Sequence, residues 1–121
     1  MLTTLPMLLA ALMGAAGVVL AAMAAHSGVG ASLGGASQML LFHALAVLCA
    51  CALAAVGRAS GRLVPLATFG WIIGAALFAG DVSLRAFTGH RLFPMAAPTG
   101  GTLLIVAWLV FALAAIMPRR S

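Results

Sequence analysis

The chain is predicted to be all-α: an integral membrane protein folded as an antiparallel bundle of four transmembrane helices. Three observations predict this. Four long apolar runs fill nearly all of its 121 residues. Charged residues make up only 6% of the chain, against roughly 25% in soluble domains, so a water-facing surface cannot be built. Short polar stretches separate the runs, which makes successive spans antiparallel neighbours. Residues 1–121 read as a single transmembrane domain, with no soluble domain left over to hold a separate active site.

The first helix is expected over about residues 5–25. Thr4 can cap it, and Pro6 suits its first turn, where a missing N–H is no loss. Ala10, Gly14, Gly17 and Ala21 follow helical spacing and form a stripe of small residues suited to close contact with another helix. A cleaved secretory signal is not expected. No Lys or Arg precedes the run, and its length of about 21 residues is enough to span.

Residues 27–37 hold four glycines and three serines and read as a loop. No Lys follows them and no strand precedes them, so the glycines carry no phosphate-loop signal. The second helix is expected over about 38–56, capped by Ser37. Residues 57–62 form a tight basic turn. The third helix is expected over about 64–85 and contains Gly70-x-x-x-Gly74, a helix-packing pattern in membranes. Residues 86–98 read as a second loop, with His90, Arg91, Pro94 and Pro98. The fourth helix is expected over about 99–117, stopped by Pro118-Arg119-Arg120.

The net charge of +5 comes from six arginines against one aspartate. The arginines sit in ones and twos at the ends of apolar runs. That is the pattern of membrane anchoring, and no basic stripe exists for nucleic acid. Arg58, Arg62, Arg119 and Arg120 share one side, and Arg85 and Arg91 the other. Four against two predicts that both termini are cytoplasmic.

In that orientation all three histidines and the only acid, Asp81, belong to the outer end. A carboxylate in hydrocarbon is expensive and usually functional. Asp81 shares a face with Gly70 and Gly74, so it is expected to point into the bundle, with Arg85 one turn on and within reach. His43 shares a face with Val47, Ala50 and Ala54. His26, His43, Asp81 and Arg85 are therefore the expected ligand-binding cluster. The plainer reading of Asp81 is an ion pair with Arg85 that locks the third helix. The plainer reading of His43 is a hydrogen bond across helices.

Met39 with His43, and Met23 with His26, have the ligand types and helical spacing for Cu(I). His26 and His43 could also be drawn as axial ligands of a haem. Neither is adopted, and no cofactor or metal site is expected. Cys49 and Cys51 lie two apart, point in different directions and read as small hydrophobes. No Ser-His-Asp spacing, carboxylate pair or zinc signature occurs, so the chain is expected not to be an enzyme.

The segments Gly14-Ala15-Ala16-Gly17-Val18, Ala24-Ala25-His26, Phe42-His43-Ala44-Leu45-Ala46 and Leu77-Phe78-Ala79-Gly80 resemble those of the YgdD-like proteins. So does Ala97-Pro98-Thr99-Gly100-Gly101 followed by Trp108. These are small four-helix proteins of the bacterial inner membrane, the family of the domain of unknown function 423. The resemblance spans all four helices and implies this fold and a multi-pass location in the bacterial inner (plasma) membrane. It implies no activity, because the family has none assigned. Where many members read Phe-Ser-Gly-Ser, this chain reads Phe78-Ala79-Gly80-Asp81. The resemblance therefore assigns Asp81 no shared function, whereas His26 and His43 match the family pattern.

The leading expectation is a non-enzymatic inner-membrane protein that binds a small ligand, an ion or a partner near its outer face. One alternative is a small proton- or metal-coupled transporter subunit, working as a homo-oligomer because four helices leave little room for a private pathway. Another is a structural or accessory protein embedded in the lipid bilayer. A conducting path needs polar residues at both depths, and the inner half of every helix is apolar, which favours binding over transport.

Overall fold

A computed structural model describes residues 3–117. They form four helices: α1 (Thr4–His26), α2 (Gly30–Ala55), α3 (Leu63–Thr88) and α4 (Ala96–Ile116). All four are long and apolar enough to cross a membrane, and no strand occurs among the described residues. The chain is an all-α four-helix membrane bundle. The expected stop at Pro118 and the expected inner-side charges Arg119 and Arg120 lie outside the described residues.

The largest departure from the expected boundaries is α2. Its glycine-rich start, read above as a loop, is helix from Gly30 onward. Glycine in a helix costs about 1 kcal/mol relative to alanine. Beneath the glycines, however, Leu33, Ala36, Ser37 and Leu40 recur at helical spacing, and all four are buried. In lipid, an unpaired backbone amide costs more than the glycine penalty, so the ladder continues. Gly30 itself comes so close to the end of α1 that a Cβ there would meet Ala24 O.

The other ends shift less. α3 runs to Thr88 and stops at Gly89, whose φ of 73° is the left-handed conformation that glycine adopts without strain. Pro98, expected in the loop, sits in the first turn of α4, where its missing N–H leaves no helical bond unmade.

α2 and α3 form the central pair. α1 packs on α2 and touches α3 lightly, and α4 packs on α3. Small residues make these seams. At the α1–α2 seam, a Cβ on Gly17 would stand 2.7 Å from Leu41 Cγ. There Ser37 Oγ–H donates to Gly17 O at 2.6 Å. The actual α1 stripe is Pro6, Ala10, Met13 and Gly17. Ala21, expected in it, is exposed, and Gly14 faces nothing within 4 Å.

At the α3–α4 seam, Gly74 and Gly100 oppose each other. A Cβ on Gly74 would lie 2.9 Å from Gly100 O, and one on Gly100 would lie 2.7 Å from Gly74 O. Gly70 meets Ala107 in the same way. The glycine pair read from the sequence is thus the surface on which α4 rests. The basic turn after α2 is also fastened to α4, because Ser60 N–H donates to Ala114 O at 2.9 Å.

Candidate functional site

The phase that puts Gly70 and Gly74 against α4 also turns Asp81 inward, where it is 2% exposed. A carboxylate buried this deeply needs partners for both oxygens. Oδ1 accepts the backbone N–H of Leu92, in the α3–α4 connection, at 3.0 Å. Oδ2 lies 3.4 Å from Arg85 Nη2, one turn further along α3. Arg85 itself remains 39% exposed. Asp81 is therefore a clasp, holding the connecting loop with one oxygen and an arginine with the other.

The loop so held shapes a groove of about 470 Å³ at this end of the bundle. Asp81, Arg85, Arg91 and Thr102 supply its polar wall, and Phe78, Met95 and Ile105 its apolar wall. Thr102 Oγ1–H is already donated to Pro98 O, at 2.9 Å. Ala97 and Pro98, in the first turn of α4, border the groove. That turn has no side-chain cap and no acidic residue to offset the positive end of the helix dipole. Two guanidinium groups and a helix amino end thus share the groove with one carboxylate.

The four expected cluster residues do not form one set. Asp81 and Arg85 pair and line the groove; neither His26 nor His43 lines it. His26 is the last residue of α1 and is exposed. In a second helix starting at about residue 38, His43 would lie about one turn in. Because α2 begins at Gly30, His43 instead lies ~20 Å along it. Two axial haem nitrogens must meet at one iron, so this separation does not fit a haem between His26 and His43.

His43 belongs to a second constellation. Its Nδ1 lies 2.7 Å from Met39 O, and Trp108 Nε1–H donates to its Nε2 at 3.3 Å. Indole N–H can only donate and a carbonyl can only accept, so the proton sits on Nδ1 and the lone pair on Nε2. Both ring nitrogens are engaged, and neither has a lone pair free for copper beside Met39. Among the described residues, no three His, Cys, Asp or Glu side chains converge as metal ligands. Trp108 also packs on Trp71, with ring centroids 4.5 Å apart, and Trp71 packs on Phe111 at 5.4 Å. Cys51 is buried and Cys49 exposed, pointing apart as their spacing requires.

Sequence reading missed three members of these sites. Arg91 was assigned only an orienting role, and Trp108 only a place in the resemblance. The residue that closes the clasp, Leu92, contributes its backbone, so its side-chain type carries no signal.

Residues 13–101 match the model of a family described as a protein of unknown function, DUF423. The matched span contains the clasp, Arg85 and Arg91, and ends just before Thr102 and Trp108. The chain is 32% identical over 72 residues to a UPF0382 membrane protein of Haemophilus influenzae. That alignment covers 60% of this chain and 56% of the relative, so the chain spans about half the length of the relative it matches. No solved structure matches the chain. With three-quarters of its length inside the family match, this four-helix membrane protein belongs to the DUF423 family.

Proposed function

We propose that the chain is a non-enzymatic binding protein of the bacterial inner membrane, with both termini cytoplasmic, that takes a small anionic ligand in the α3–α4 groove at the outer face. One observation carries the reading. The groove holds two arginines and a single carboxylate, and that carboxylate is already engaged by Arg85 and the Leu92 N–H. The sequence has no second acidic side chain to answer Arg91. An anion from outside the chain supplies the missing charge, and guanidinium forks suit oxyanions. Arg85 and Arg91 contact the ligand, while Asp81 holds the loop and Arg85 in position. His43 stays with Trp108 and takes no part.

With only six arginines, side-chain NMR can follow each guanidinium separately. Dimethyl phosphate, a phosphodiester monoanion, added to the protein in an uncharged detergent, should shift the Arg85 and Arg91 Nε–H signals saturably. Arg58 and Arg62, in the turn at the other end, should not follow. Equal movement of all these signals would mean general adsorption, and the reading would be abandoned.

A further inference from the structure

We infer that the anion in the groove is the phosphate of a phospholipid carrying one net negative charge, such as phosphatidylglycerol; this rests on the anion-binding reading above and names its ligand. Three features of the site point to this ligand.

The first is charge. Arg85 and Arg91 against Asp81 leave one excess positive charge, which one phosphodiester monoanion neutralises. The positive end of the α4 dipole adds to the same potential. A dianion would overshoot, and a zwitterionic headgroup would bring its own ammonium toward the two guanidinium groups.

The second is position. Arg85 is in the last turn of a 26-residue membrane-crossing helix, and Arg91 is in the connection that follows. Helix ends of this kind lie at headgroup level, where a guanidinium meets lipid phosphate oxygens directly.

The third is the shape of the apolar wall. Phe78, two turns before Arg85 on α3, and Ile105, well inside α4, line the groove on the membrane-core side of the helix end that carries Arg85. Leu109 continues the Ile105 row one turn deeper, and both are 64% exposed. A free phosphate has no use for such a wall. An acyl chain attached to the phosphate lies along it, replacing bulk lipid with a fitted contact.

The test uses native mass spectrometry of the full chain in an uncharged detergent, titrated with phosphatidylglycerol or phosphatidylcholine. One phosphatidylglycerol should bind per chain, and phosphatidylcholine of the same acyl length should bind at least several-fold more weakly. Arg91→Gln should weaken phosphatidylglycerol about tenfold, the loss of one charge-assisted hydrogen-bonding group. Arg91→Lys should recover part of it, and Arg62→Gln, at the opposite end, should change nothing. Arg91 is exposed, so these variants keep the fold. Equal retention of the two lipids, or unchanged binding by Arg91→Gln, overturns the proposal. Displacement of the lipid by equimolar inorganic phosphate also overturns it but leaves the anion-binding reading standing. Failure of the arginine NMR test removes both.

Discussion

Asp81 and Leu92 are joined by a 3.0 Å hydrogen bond that fastens the α3–α4 connection to the body of α3. The same carboxylate pairs with Arg85, so loop and arginine depend on one side chain. Three outcomes distinguish this arrangement from a carboxylate that itself meets a ligand. Asp81→Ala removes both links and should destabilise the protein most. Asp81→Asn keeps an oxygen for Leu92 N–H and should cost less, about 1–2 kcal/mol, because Arg85 is partly solvated. Adding Arg85→Gln to Asp81→Asn should cost less than the two single losses summed. Thermal melting in detergent measures all three, and strict additivity would show that Asp81 and Arg85 do not interact.

The glycines at the α3–α4 seam give a second prediction. A methyl at Gly100 would run into the backbone at Gly74 O and Phe78 N, neither of which can swing aside. Gly100→Ala should lower stability by about 1–3 kcal/mol. Gly101→Ala, with nothing within 4 Å of the added carbon, should melt like the parent or slightly above it. Equal melting of the two variants would mean the seam is looser than described.

His43 and Trp108 should be coupled. Trp108→Phe keeps an aromatic ring beside Trp71 but strands the His43 Nε2 lone pair. A double-mutant cycle of Trp108→Phe with His43→Ala should return a coupling of about 1 kcal/mol. Copper loading should be the same in His43→Ala as in the parent. A copper deficit in the variant would show that the imidazole exchanges tryptophan for metal.

Orientation is open to a direct measurement. A reporter fused after the last residue should give a cytoplasmic signal, and one inserted in the connection between α1 and α2 a periplasmic one. The opposite result would put the arginine groove on the cytoplasmic face.

The helices and the seam between α3 and α4 were legible because they rest on local spacing. Gly70, Gly74 and Asp81 share a face in any α-helix, and Arg85 is one turn from Asp81 in any α-helix. The start of α2 was misread because its glycine content masks the helical recurrence of Leu33, Ala36 and Leu40. His43 falls outside the groove for the same reason, since starting α2 at Gly30 carries it away from the helix end. A hydrogen bond from His43 across helices was expected, but its partner, Trp108, 65 positions on, could not be read. A helix that is apolar on every side gives no hydropathy contrast between its packed and lipid-facing sides, so the direction of Trp108 is set by packing alone.

The two central helices are also the longest. α2 and α3 have 26 residues each, whereas α1 has 23 and α4 has 21. At 1.5 Å per residue the central pair is ~39 Å long, well beyond the ~30 Å of a hydrocarbon core. The shorter α1 and α4 are also the least buried, so much of the boundary lipid meets helices close to the natural membrane thickness. Half of the α3 span and a third of the α2 span are buried against protein, so the two longest helices meet less lipid than their length alone implies. Sorting between thin and thick membranes would then follow the outer helices of this chain rather than its longest ones.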